Sequence, residues 1–209
     1  MYEALAYFSA NVRHAGLVKL LKLMYYLDLM HFRRTGRTVT GLVYEAWKMG
    51  PVPPMLYDEF NSESSELHKR FDVKKFVKAS DDMSPTIDTD AEELERADNA
   101  RRGSYYLPGS LKSRSRYQHL HLTKREHQLA EMLAEIFREA TAEHMSDISH
   151  SKFGPWAKAL HKAKKLGIDR PEIDLLEGVV AAGSSAEELP VEEIRDLLAE
   201  REALEQRLN

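Results

Sequence analysis

The chain has 209 residues, 43% of them apolar and 31% charged, a globular balance that suits one domain with attachments or two small ones and argues against a wholly disordered chain. With 30 Lys+Arg against 34 Asp+Glu the net charge is -4, so the broad cationic face that nucleic-acid binding usually needs is disfavoured. The absence of cysteine excludes disulfides, thiol catalysis and thiolate zinc sites.

An acid in Met1-Tyr2-Glu3-Ala4 does not suit a secretory leader, and no apolar run exceeds the five residues of Leu23–Leu27, against roughly 20 for a bilayer span. The expectation is a soluble, cytoplasmic chain. Residues 15–34 carry the clearest helical pattern. Apolar side chains occupy most directions of the turn, and Lys19, Lys22, Tyr26 and Arg33 form one narrow polar stripe. A helix with so thin a polar face is packed on several sides, so it should run through the middle of the fold. Leu20, Leu23, Met24, Leu27 and Met30 are its expected core, and Gly36 is placed to end it. Asp28 and His31, one turn apart among apolar neighbours, read as a buried polar pair.

Thr38–Trp47, rich in Thr, Val, Tyr and Trp, suits a strand or hairpin before the break at Gly50-Pro51-Val52-Pro53-Pro54. A short helix follows at 55–60 and a second strand at Phe71–Val77. Residues 80–116 read as a charged insertion: eight acids against three basic residues lie between Asp81 and Gly103, with a short helix expected at Ala91–Arg101. Tyr117–Leu122 alternates apolar residues with histidine and predicts a third strand. Thr123 and Glu126 form a capping box that opens a long helix with Leu129, Met132, Leu133, Ile136 and Phe137 on one face. Helices at 141–150 and Ala157–Leu166 follow, the latter entered through the turn Phe153-Gly154-Pro155-Trp156. The tail runs from Pro171 through a hinge at 181–185 to a last helix, Pro190–Leu208, whose start Ser185 and Glu188 mark. It holds eleven acids and three basic residues, which accounts for the negative net charge. The expected division is a domain at 1–166 and an acidic helical extension at 167–209.

Few constellations carry chemistry. His119-x-His121, with His127, His144 or His150, could supply metal ligands, but alternation with Leu120 and Leu122 fits the wet face of a strand better. There is no Gly-x-Ser-x-Gly elbow, phosphate loop or dinucleotide fingerprint, so neither a catalytic set nor a cofactor is expected. Lys112, Arg114, Arg116, Lys124 and Arg125, near Tyr105, Tyr106 and Tyr117, form a patch that could meet a phosphate backbone or clamp a charged protein, and could equally be neutralised by the acids of the same loop. Trp47, Tyr57 and Trp156 are aromatics near turns, of the kind that anchor contact surfaces, although both tryptophans could equally be core.

Several segments together resemble the SocA-like Panacea domain of antitoxins. The resemblance lies in Leu20–Asp28 with its Lys22-Leu23-Met24-Tyr25-Tyr26, in Arg34–Gly41, in Tyr44–Pro53 with its Trp47-Lys48-Met49-Gly50-Pro51, and in Tyr57 and Phe60. His150 and Gly154-Pro155-Trp156 resemble the family's closing turn. It implies a mainly α fold around a buried central helix, with a small antiparallel sheet of two to four strands. It also implies a non-enzymatic antitoxin of a bacterial or prophage-borne toxin–antitoxin pair, which binds a cognate toxin protein directly. SocA-like members further imply an adaptor that delivers the toxin to a Clp-type protease; a winged-helix DNA-binding regulator is the remaining alternative. Trp47, Lys48, Met49, Pro51, Tyr57, Tyr105, Tyr106, Arg114, Arg116 and Trp156 are the candidate partner-binding residues.

Overall fold

The computed structural model describes residues 1–48, 50–74, 77–78, 106–107, 110–150, 154–181 and 187–208. Its centre is the apolar helix expected from the sequence. Helix α2 (Leu17–Thr35) ends at Gly36, whose φ of 67° is the left-handed conformation that glycine adopts without penalty and whose N–H caps the Phe32 carbonyl at 2.8 Å. Leu20, Leu23, Met24 and Leu27 are at most 1% exposed, and Met30 packs half-buried at the core's edge. Even the first half of the polar stripe is covered, because Lys19 and Lys22 are 0% and 1% exposed, whereas Tyr26 and Arg33 are half-buried.

Around α2 pack helix α1 (Tyr2–Asn11), for which the sequence shows no clear signal, and the short helix α3 (Pro54–Asn61), on which α4 (Glu66–Arg70) packs in turn. Ala4, Leu5 and Phe8 bury one side of α1, but its capping position is Met1, which offers no side-chain cap. The long helix α5 (Lys124–Ile136) opens on the expected Thr123/Glu126 capping box. Helix α6 (Ala142–Ser149) is capped by Thr141, and α7 (Pro155–Leu166) is entered through Gly154-Pro155, where proline's missing N–H costs nothing.

Strands β1 (Glu45–Trp47) and β2 (Gly50–Val52) form a hairpin with Trp47 opposite Gly50. Strand β3 (Phe71–Lys74) pairs antiparallel with β6 (Ser110–Ser113), and β4 (Val77–Lys78) with β5 (Tyr106–Leu107). Phe71 faces Ser113 and Val77 faces Leu107, so the two ladders share one register and make a single interrupted ribbon. The second strand thus stands at its expected place, and its partner comes from within the segment read as an insertion. Tyr117–Leu122 is not a strand: the Glu3 carboxylate accepts the N–H groups of Leu120 and His121 at 3.0 and 2.6 Å, taking donors that a ladder would need. The helix expected at Ala91–Arg101 lies outside the described residues.

Thr38–Tyr44 is likewise a loop, for a reason that corrects the expected Asp28–His31 pair. Both side chains are buried, yet neither partners the other. Asp28 Oδ1 accepts the N–H groups of Val39 and Thr40 at 2.7 and 2.9 Å, and Oδ2 accepts the hydroxyls of Thr40 and Tyr44, the latter at 2.6 Å. His31 Nδ1 instead meets the Arg37 carbonyl at 2.7 Å. One turn apart on a helix, the two side chains tie down opposite ends of the same loop.

Beyond α7 the chain runs beside β1: the N–H of Ala46 donates to Pro171 at 2.8 Å, and that of Ile173 to Tyr44 at 2.7 Å. Helix α8 (Leu176–Ala181) reaches α2, and the last helix, α9 (Val191–Leu208), seats Ile194 between Phe32 and Val179. Glu188 does not mark the start of α9. It pairs with Arg33 at 3.1 Å, beside Arg34–Glu187 at 2.8 Å, because the end of α2 presents two guanidinium groups there. Ser185 lies outside the described residues.

Replacing Asp28 by alanine strands two N–H groups and the Tyr44 hydroxyl in an apolar setting, a loss of about 3 kcal/mol. Thermal denaturation of Asp28→Ala should show a Tm lower by roughly 6–12 °C, with Asp28→Asn, which keeps acceptors, between it and the parent. Equal Tm values for all three would refute this role.

Candidate functional site

The elements converge at the β1–β2 turn. Gly50 is buried at φ 104°, and a Cβ there would land on Lys22 Nζ, with Ser149 Oγ 2.7 Å and His150 Nε2 3.2 Å from the same point. Only glycine leaves that space, so Gly50 is required twice, for its backbone and for the ammonium it admits. Burial of the Lys22 amine pushes its pKa down to about 7. His150 stacks on Trp156 at 4.1 Å between ring centres, and Trp156 Nε1 donates to the Trp47 carbonyl at 2.9 Å. Central helix, turn, α6 and α7 are thereby locked at one junction.

On its outer side the junction presents a surface. The Trp47 ring meets Tyr57 edge-on at 4.9 Å, its Nε1 donates to Glu45 at 2.8 Å, and the Arg170 guanidinium lies 4.4 Å from its centre. An open cleft of about 430 Å³ runs between β1 and the segment after α7, lined by Trp47, Lys48, Leu160, Ile168 and Arg170 among others. Ile168, in that lining, is 52% exposed. Aromatic, arginine and exposed aliphatic groups gathered in a concavity are the composition of protein contact surfaces.

The structure therefore brings together Trp47, Lys48, Tyr57 and Trp156, all placed by the same junction. Pro51 corrects the reading: it is buried opposite Ala46 and has no face to offer a partner. Met49 and Tyr105 lie outside the described residues, and Tyr106 is placed only by its backbone pairing in β5. Arg114, bonded to Asp72 at 3.0 Å, and the exposed Arg116 belong to the ribbon that packs on α1, whereas Trp47 and Trp156 belong to the side that packs with α7. His119 stacks on His127 at 4.3 Å and is tied to the Leu122 carbonyl; among the described residues no cluster of three acids or histidines is arranged for a metal. Lys22 and Arg170 were missed as functional positions. Two lysines three apart in an otherwise apolar helix were the available signal for the first.

The fold and this junction define a mainly α domain built on one buried helix, with small antiparallel ladders and an aromatic contact face. The family model described as "Antitoxin SocA-like, Panacea domain" matches residues 20–157, and the chain belongs to that family. No curated protein and no solved structure matches the chain. The matched span takes in Lys22, Asp28, Gly50, His150 and Trp156, and leaves α1, α8 and α9 outside it. No helix among the described residues is long and apolar enough to cross a membrane.

In the folded chain the Lys22 amine loses its proton near pH 7, but in the unfolded chain only near the ordinary 10.5. Unfolding between those values takes up a proton, so stability should climb as pH rises from about 7 towards 10.5 and be flat in this respect below 7. Chemical denaturation across pH 6–10 should show that Lys22→Met removes part of the rise. Gly50→Ala, which evicts the amine, should cost several kcal/mol, on the order of an overpacked core.

Proposed function

We propose that the chain is an antitoxin that neutralises a cognate protein toxin by covering it, and that it acts through a shaped surface with no catalytic step of its own. Support begins with membership of the antitoxin family. The observation that carries the surface assignment is the cleft at Trp47, where Arg170, Lys48, Ile168 and Leu160 surround an aromatic floor held rigid from below by the Trp156 bond and the Lys22 junction. A preorganised floor loses little entropy on binding, which is why rigid aromatic anchors dominate contact energetics. Mixed charge along the rim (Asp169 beside Arg170 and Lys48) favours a partner with polar edges around an apolar centre.

The test is co-expression with the product of the neighbouring gene. The two should co-purify, and growth should be rescued. Ile168→Asp and Lys48→Glu alter exposed positions, so stability should change by no more than about 0.5 kcal/mol, while toxin binding should weaken roughly tenfold or more. Unchanged binding by both variants would move the interface off this cleft, and no co-purification would sink the antitoxin reading. Rescue in cells lacking Clp-type proteases is the expected result; rescue that needs the protease would replace steric cover by delivery.

A further inference from the structure

Helix α9 is anchored through its first two turns, by Ile194, by Leu198 and by Leu197, which lies against Gly36. Ile194 is 0% exposed, whereas every residue from Ala199 to Leu208 is exposed, with Leu204 at 56% and Leu208 at 86%. A helical segment of this length is marginal in water without packing. Beyond buried Ile194, the residues Leu197, Arg201, Leu204 and Leu208 follow steps of four, three and four, the ridge of a two-helix seam.

We propose that this ridge pairs with the same ridge of a second copy, antiparallel, to make a weak homodimer. The charges select the occupant and its direction. Set antiparallel with Arg201 across from Leu204 of the other copy, the helices bring Glu200 beside Arg207 of the other copy, and symmetry makes that pair twice. A parallel arrangement would stack Arg201 on its own equivalent inside the seam and set Glu200 beside Glu205, both repulsive. Antiparallel pairing also leaves Arg201 within reach of carboxylates, as it already is of Glu205 in its own helix at 3.6 Å. Three leucines and their flanks make an interface at the small end of the specific range, so association is concentration-dependent. The anchoring of α9 at the Arg33 and Arg34 end of α2 places this seam apart from the Trp47 cleft in the chain's architecture, and the inference stands independently of the proposed function.

Sedimentation equilibrium of the full chain over a rising concentration series tests it. The weight-average mass should rise from one chain towards two. Leu204→Glu, exposed and so harmless to folding (circular dichroism checks this), should abolish the rise. Glu200→Arg and Arg207→Glu should each weaken self-association roughly tenfold, whereas an equimolar mixture of the two variants should associate at least as well as the parent. A chain that stays monomeric throughout, self-association that survives Leu204→Glu, or strengthening by Glu200→Arg alone would each overturn the proposal.

Discussion

Polar side chains sunk into a greasy helix must find partners, and in this protein that requirement organises everything around α2. Lys19 donates to the carbonyls of Arg13 and Arg138 at 2.6 and 3.0 Å, joining the loop before α2 to the end of α5. Lys22 fills the hollow under Gly50. Asp28 and His31 tie down the loop that follows the helix. An ammonium or carboxylate left alone in such surroundings would cost several kcal/mol, so each of these groups selects one arrangement of chain around the helix and penalises the others. Burial explains the direction of each shift: desolvation raises the Asp28 pKa against four hydrogen bonds that lower it, and lowers that of Lys22.

The contact face follows from the same scheme. Trp47 reaches the surface on a two-stranded turn too small to hold itself, because a lone hairpin is marginal in water. Its rigidity comes from behind, through Trp156, His150 and Gly50 to the central helix. Chemistry seen in the core thus sets the geometry of the surface. The family match covers this whole chain of contacts, from Leu20 to just past Trp156.

Much of this architecture was legible in the amino-acid order, and the exceptions have physical causes. Helix α2, its glycine stop and the capping box of α5 rest on local periodicity and capping, which the sequence displays directly. Asp28 and His31 were rightly sensed as buried, but their partners lie up to sixteen residues away, in a loop with no period of its own. Tyr117–Leu122 alternates like a strand, yet Glu3, more than a hundred residues distant, claims its donors. The true partner of β3 sits in a Ser/Lys/Arg stretch whose composition argues for a loop, since pairing depends on a neighbour that no local window contains. At the contact face Trp47, Lys48, Tyr57 and Trp156 were found as residue types near turns; Arg170 was not, because its place over the Trp47 ring arises from a return of the chain after α7.

The common register of the β3–β6 and β4–β5 ladders has a corollary for chain length. Lys78 and Tyr106 are directly paired, so everything between them departs from and returns to points about 5 Å apart. The closure entropy of such an excursion grows only with the logarithm of its length. A change in the number of residues between Lys78 and Tyr106 therefore costs the β4–β5 ladder little, so long as both ends still meet in the same register, a far looser demand than any set by the packing around α2.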